Sequence, residues 1–240
     1  TVTAVIRSRK QTAMERRCDE CPYADNYYGR VRPVLYRLLT ECQELDADTF
    51  SRYGEEASLC PFELSLDASL YASLIVCDYN YVFDPAVYLR RFFEEKGSYV
   101  FLIDEAHNLV DRAREMYSAD LWQEELCELR RLIKTDADAL RAALRPLDRA
   151  LKRLSDECEG ALHSRKTPMD DLSLQLNRLI DECDLWLQTH PQEEHRDAIL
   201  EIYFHLVSCR RIFVLYDDDF ITWYENDAAR GFHLRLYCLN

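Results

Sequence analysis

The chain predicts an α/β fold with a large helical part, on three observations. Two short continuous apolar runs, Leu74-Ile75-Val76-Cys77 and Tyr99-Val100-Phe101-Leu102-Ile103, have the character of fully buried parallel strands. The segment between them, Phe83 to Phe93, carries Asp84-Pro85 and then a helical pattern, as a crossover between parallel strands requires. From about residue 121 leucine recurs every three or four positions and glycine almost disappears, the pattern of packed antiparallel helices.

The elements follow in order. Thr1-Val2-Thr3-Ala4-Val5-Ile6 is β-like. Residues 15–30 mix charge and tyrosine around a Cys-x-x-Cys-Pro turn. Residues 31–44 predict a helix with Val31, Leu35, Leu38 and Leu39 on one face, and 47–58 a second, shorter one. Pro61 suits the first turn of a third helix with its body at Glu63 to Ala72. After the second apolar run a helix starts near Ala106 and holds Leu109, Val110, Ala113 and Met116. The run 121–158 is helical, 159–169 is a break, and helices cover about 169–188 and 192–215 around His190-Pro191. Phe220 to Glu225 and Gly231 to Leu239 are strand-like, the latter alternating through Phe232, Leu234, Leu236 and Cys238.

A chain of 240 residues can bury a sizeable core and hold two domains. Its 30 basic against 44 acidic residues give a net charge of -14, which disfavours nonspecific nucleic-acid binding but leaves room for a local basic groove. Basic clusters stand at Arg7-Ser8-Arg9-Lys10, Arg16-Arg17, Arg90-Arg91 and Arg130-Arg131. The first ten residues lack a secretory pattern, and no apolar run reaches the length of a membrane span. Cytoplasm is the expected compartment, and there disulfides are disfavoured. Of ten cysteines, Cys77, Cys127, Cys158, Cys183 and Cys209 fit core positions, whereas Cys18, Cys21, Cys60 and Cys42 need another account.

Chemistry concentrates in Ile103-Asp104-Glu105-Ala106-His107, behind the apolar run. A magnesium-bound nucleotide needs a hard oxygen ligand near its terminal phosphates, and an aspartate at a strand's carboxyl end supplies one. The next glutamate can orient or deprotonate water, and a nearby histidine can couple nucleotide state to movement. Asp104, Glu105 and His107 fit these roles, with Asp104 and Glu105 handling Mg-ATP. The plainer reading is that Asp-Glu merely starts a helix. The full string Phe-Leu-Ile-Asp-Glu-Ala-His-Asn-Leu-Val is more specific and resembles the Walker B or DEAH box of superfamily 2 helicases.

Cys18 and Cys21 form Cys-x-x-Cys before a proline, and Cys60 also precedes proline. Thiolates at such spacing can chelate a metal or a cluster and clip a region of few apolar residues. This arrangement, with Cys60 to Ala72, Cys77 to Pro85 and Asn108 to Ser118, resembles the XPD/Rad3-like and DinG-like helicases. The resemblance implies a partial RecA-like motor core with a cysteine-rich insertion and an antiparallel helical arch domain. On that scheme residues 1–13 and 68–120 belong to the first motor domain. Residues 14–67 form the iron–sulfur-type insertion, 121–230 the arch, and 231–240 a strand returning to the motor. It implies ATP and magnesium as cofactors of the full-length protein and a 4Fe-4S cluster. The family has a further cluster cysteine upstream of the pair, and here Met14 or a neighbour stands in that place. Cys42 as fourth ligand, a labile or zinc-bearing site, and a substituted native cysteine all remain open.

Single-stranded DNA is held by basic groups and stacking rings. Arg16, Arg17, Tyr23, Tyr27, Tyr28, Arg30 and Arg32 interleave the two, although the same tyrosines could pack a small domain. Tyr79 and Tyr81, after a predicted strand, are further DNA-contact candidates, with core packing as the alternative. His163, His190, His195 and His205 lack ligand spacing, and Asp217-Asp218-Asp219 fits a solvated turn.

No phosphate-binding Gly-x-x-x-x-Gly-Lys-Ser/Thr segment occurs. The expectation is therefore a piece of an ATP-dependent DNA helicase, monomeric, moving 5′ to 3′ on single-stranded or forked DNA by family resemblance, and inactive without the remainder of its motor. Competing readings are a nonenzymatic DNA-binding or protein-interaction module with a relic box, and a nuclease-like relative, for which no carboxylate constellation is visible.

Overall fold

The computed structural model describes residues 2–7, 21–93, 97–133, 137–158, 162–192 and 194–239. The chain divides into two compact units, Thr1–Phe101 and Leu102–Asn240.

Unit 1 is built on a three-stranded parallel sheet. Strand β1 (Thr3–Val5) lies between β2 (Glu44–Leu45) and β3 (Leu74–Val76), with Ala4 opposite both Leu45 and Ile75. Helices α1 (Tyr27–Glu41), α2 (Ala47–Ala57) and α3 (Pro61–Ser69) stand close to their predicted places. The Asp46 carboxylate accepts from the Thr49 amide at 2.8 Å and caps α2. Ser58 in the left-handed region ends that helix, and Pro61 opens α3. Gly54 is required by packing, since a β-carbon there would lie 2.7 Å from the Leu59 carbonyl oxygen.

Residues 31, 34 and 38 of α1 share one helical face and pack with Phe50, Tyr53, Leu59, Leu64 and Ala68 around Ala4 and Leu45. The segment expected to be short of apolar residues thus shares one core with the sheet, and contributes β2 to it.

Two expectations in this unit are corrected. Residues 83–93 do not form one helix. Two single-turn helices, α4 (Asn80–Phe83) and α5 (Arg90–Phe93), flank a turn in which the Asp84 side chain accepts from the Ala86 amide at 2.7 Å. That bond competes with helix formation at 84–88. Nor is Tyr99–Ile103 a buried strand: Val100 is 91% and Leu102 89% exposed. No strand among the described residues pairs with it. Tyr99 and Phe101 instead gather on Phe93, with ring centroids 5.8 and 6.3 Å away. Likewise, among the described residues β3 pairs with β1 alone, and its Leu74 and Val76 are about half exposed. Apolar character selects a strand, but burial on both faces requires neighbours.

Unit 2 opens with a 3-10 turn (Ala106–Asn108) and α6 (Leu109–Met116). Strand β4 (Ala119–Trp122) leads to α7 (Gln123–Leu132) and α8 (Asp138–Glu157). Then come β5 (His163–Arg165), α9 (Asp170–Thr189), α10 (Arg196–Leu215), β6 (Phe220–Asp227) and β7 (Gly231–Cys238). The strands form an antiparallel sheet in the order β4-β7-β6-β5. At the β6–β7 turn Asp227 accepts from the Ala229 and Arg230 amides, both at 2.8 Å, and Gly231 supplies a φ of 79°. The closing strand β7 pairs with β4 on one side and β6 on the other.

The leucine series does what its period requires. Leu126, Leu129, Leu140, Leu144, Leu147, Leu151 and Leu154 pack with Leu172, Leu176, Leu179 and Leu206 and with the inward face of β7, Phe232, Leu234 and Leu236. Cys158, Cys183 and Cys209 are buried as expected, while Cys77 and Cys127 are only partly so. Burial pushes the Cys183 thiol up to about 12, so it stays protonated. No helix among the described residues is long and apolar enough to cross a membrane.

Candidate functional site

The acidic box precedes α6 in unit 2 and is held by the attachment of that helix. The Arg114 guanidinium donates to the Leu239 carbonyl at 3.0 Å, and Arg235 pairs with Glu115 at 2.6 Å. Ser118 accepts from the Cys238 amide at 3.1 Å. The later half of α6 and its exit are thereby fastened to β7.

Asp104, Glu105 and His107 are all exposed. The Glu105 amide donates to Asp104 Oδ1 at 2.9 Å, and the Glu105 carbonyl accepts from the Asn108 amide at 2.9 Å. Glu105 has φ 49°, a left-handed conformation unusual for a non-glycine residue. Such local strain is commonest at functional sites. His107 Nδ1 stands 3.4 Å from Glu105 Oε2. One turn therefore presents two carboxylates and an imidazole to solvent. Hard oxygens of this kind suit a hydrated magnesium ion, and an imidazole against a carboxylate can hold or pass a proton.

The cysteines separate into two places. Cys18 lies outside the described residues. Cys21 and Cys60 are buried. They are brought together through Tyr23, whose carbonyl accepts from the Cys60 amide at 3.2 Å. Cys42 sits at the far end of α1, its sulfur 3.7 Å from the Tyr53 hydroxyl. The 15 residues of α1 make that helix about 22 Å long, so Cys42 is remote from the turn that carries Cys21. Cys42 thus stands at the opposite end of α1 from Cys21. Tyr53 donates to Glu41 at 2.6 Å, and this bond, with the Cys42 contact, pushes its hydroxyl up to about 12. Among the described residues no three His, Cys, Asp or Glu side chains gather to hold a metal. Cys21 and Cys60 suit a thiolate-bound cluster in kind, but the described donors do not complete one.

The DNA-contact candidates divide as well. Arg16 and Arg17 lie outside the described residues. Tyr27 is buried and donates to Asp67 Oδ2 at 3.0 Å. Burial, then the Asp67 charge, raise its hydroxyl far above the ordinary range. It cannot present a ring to a base. Arg30 donates to the Ala57 and Asp25 carbonyls, tying the start of α1 to the end of α2, so its fork is committed to the fold. Tyr28 is 77% exposed, and Tyr36, two turns along the same face, is 71% exposed. Arg32, also exposed, stands between them. Tyr36 is not among the sequence-derived candidates, although its i, i+4, i+8 spacing from Tyr28 and Arg32 is plain in the chain.

Tyr79 is half-buried at the start of α4. Beside it opens a cleft of about 710 Å³. Ile6 and Arg7 line it after β1, and Asp78, Asn80 and Tyr81 after β3. Tyr88, Arg90 and Arg91 line its other side. In a sheet ordered β2-β1-β3 the carboxyl ends of β1 and β3 form the topological switch point, the usual binding crevice of α/β sheets. Arg91 is occupied by Asp67 at 2.6 Å, whereas the Arg90 guanidinium lies over the Tyr88 ring at 5.9 Å.

A cluster in unit 2 has no counterpart in the sequence reading. His233 Nε2 meets Asp120 Oδ1 at 2.6 Å, and Trp122 stacks on the His233 ring at 3.7 Å. Burial disfavours the Asp120 carboxylate, yet the His233 bond and Arg235 hold its pKa below the ordinary value. Ala119–Trp122 pairs with β7 in this sheet, so the cluster is made by strand register.

Comparison with known proteins bears on the box. The sequence model of the DEAD_2 family matches residues 2–126, more than half of the chain. The Caenorhabditis elegans homolog of regulator of telomere elongation helicase 1 is 28% identical over 141 residues, which is 59% of this chain and 13% of that protein. The Saccharomyces cerevisiae general transcription and DNA repair factor IIH helicase subunit XPD/RAD3 is 26% identical over 169 residues, 63% of this chain and 20% of that protein. The chain thus spans a fifth or less of the length of these two relatives. A solved XPD helicase structure aligns over 99% of this chain and 46% of its own, at 18% identity and a TM-score of 0.50, a likeness of fold.

Proposed function

The chain belongs to the DEAD_2 family of XPD-like helicases, and on that premise we propose that it forms part of an ATP-dependent DNA helicase. The observation that carries this reading is the exposed Asp104-Glu105-x-His107 turn within a family match that contains it. Asp104 would hold the magnesium ion, which would screen the charge of the nucleotide's terminal phosphates. Glu105 orients the attacking water and takes its proton. His107, within reach of Glu105, senses whether that carboxylate is engaged. The groups that hold the phosphates lie elsewhere in the protein, so this chain alone does not turn over ATP at an appreciable rate.

The nucleic-acid track is single-stranded DNA, followed 5′ to 3′. Tyr28 and Tyr36 offer faces for stacking unpaired bases, and Arg32 offers a phosphate partner between them. The cleft at the ends of β1 and β3, with Tyr81, Tyr88 and Arg90, provides a second contact beside Tyr79. A cysteine-held cluster, bound through Cys18, Cys21 and Cys60, would brace the turn before α1. No step of ATP chemistry runs through it.

The test is DNA-stimulated ATP hydrolysis by the longer protein that contains this chain. Asp104→Ala or Glu105→Gln abolishes turnover, while Glu105→Gln retains nucleotide binding. Unchanged hydrolysis in both variants overturns the assignment of this turn to the ATP site, and a parent protein without DNA-stimulated hydrolysis favours the nonenzymatic DNA-binding reading.

A further inference from the structure

Helix α8 presents a basic face that the motor reading leaves without a purpose. The helix buries Leu140, Leu144, Leu147, Ala150, Leu151 and Leu154 on one side. The opposite side carries Arg145, Arg149, Lys152 and Arg153, all exposed. At 3.6 residues per turn these four fall within an arc of about 100°. The one carboxylate in the same span, Asp148, is half-buried at the margin and is engaged by Arg130 of α7 at 3.3 Å. Arg131, also on α7, adds a further exposed cation, with Glu128 at 3.8 Å. Asp138 and Asp156 mark the two ends of the face.

This arrangement works against the helix. Arg145 with Arg149, and Arg149 with Arg153, are like charges four residues apart, a spacing that destabilises. Among the described residues none of the four cations of α8 has a carboxylate partner. In a chain of net charge -14, such a face is a local inversion of sign. Polyanion binding would relieve the repulsion.

We propose that this face of α8, together with Arg130 and Arg131, grips the phosphate backbone of duplex nucleic acid without regard to sequence. Arginine predominates, and its planar fork matches phosphate oxygens. Residues 145 to 153 extend about 12 Å along the helix axis, a length over which a duplex offers several phosphates. The exposed side between 145 and 153 has no aromatic ring, so it lacks the stacking element that single-strand sites combine with basic groups. The proposal uses only unit 2 and does not depend on the ATP chemistry.

The experiment is fluorescence anisotropy with this 240-residue chain. It uses a labelled mixed-sequence duplex and a labelled oligothymidylate of equal length, titrated at several salt concentrations. The variant Arg145→Glu/Arg149→Glu/Lys152→Glu should bind the duplex about tenfold more weakly or worse. The slope of log affinity against log salt should fall by about 0.9 for each phosphate that is no longer neutralised. Arg145→Lys/Arg149→Lys should bind as the parent does. Circular dichroism should show unchanged helix content and a melting temperature no lower than the parent's. If the reversed variant loses helix, Arg149→Gln/Lys152→Gln gives the same reading with a smaller loss. Duplex affinity and salt slope indistinguishable from the parent overturn the proposal. So does stripe-dependent binding of the single strand, or of polyglutamate, without binding of the duplex.

Discussion

Replacing Tyr27 with phenylalanine distinguishes a tyrosine that holds the fold from one that reads DNA. The ring of Tyr27 is buried, and its hydroxyl donates to Asp67 Oδ2 at 3.0 Å. The other oxygen of that carboxylate accepts from Arg91 at 2.6 Å. Tyr27→Phe keeps the ring and its packing and removes one hydrogen bond to a charged acceptor. Such bonds contribute about 1.5–3 kcal/mol. Asp67 retains Arg91, so the lower half of that range, about 2 kcal/mol, is expected. A domain of about 100 residues loses roughly 4–8 °C of melting temperature per kcal/mol, so unit 1 should melt about 8–16 °C lower. Single-strand affinity, measured by anisotropy well below the transition, should not change. Tyr28→Ala should do the reverse, since that ring is 77% exposed. It should leave the melting curve in place and weaken single-strand binding by about 1–3 kcal/mol if one base stacks there. A Tyr27→Phe protein that melts like the parent but binds DNA tenfold more weakly would refute the assignment of the two rings.

Four further outcomes follow from the same structure. Leu147 is fully buried at the centre of α8, so Leu147→Ala should cost about 2–5 kcal/mol in chemical denaturation, and a loss below about 1 kcal/mol would contradict the packing of unit 2. The folded-state pKa of Asp120 is depressed, so its contribution is present above the unfolded value near about 4 and lost as pH falls through the folded value. Asp120→Asn should therefore flatten the acid limb of a stability–pH curve. His205 is raised, first by its 2.8 Å bond to Glu125, so its contribution is full below about 6.5 and lost as pH rises through the folded value. His205→Gln should remove that alkaline loss, and an unaltered curve would show that the Glu125 bond is not formed in solution. Finally, metal analysis of anaerobically purified protein should find Cys42→Ser equal to the parent, and Cys21→Ser and Cys60→Ser depleted; equal depletion in all three would place Cys42 with the other two.

Much of this fold is legible in the chain because the signals are local. Pro61 marks the start of α3, and the leucine period locates α7 and α8. Strand β4 is hard to see because Ala119–Trp122 alternates over four residues only, and its partner β7 lies more than a hundred residues later. The run Tyr99–Ile103 shows the opposite failure: its composition is that of a strand, but pairing is a property of neighbours, and here none is formed among the described residues. The acidic box is legible because it is contiguous. Tyr27 and Tyr28 are identical in type, and only helix phase distinguishes them. Tyr27 stands four residues before Val31 on the buried face, and Tyr28 stands four before Arg32 on the exposed one. The His233–Asp120 pair requires the β4–β7 register, which no local pattern encodes.

The most direct test of the central claim is strand separation by the longer protein that contains this chain, with ATP and magnesium, on partial duplexes bearing either a 5′ or a 3′ single-stranded tail. The parent protein should open the 5′-tailed substrate and leave the 3′-tailed one intact, and Glu105→Gln should open neither. Unwinding that persists undiminished in Glu105→Gln would contradict the assignment of the Asp104-Glu105 turn to the motor.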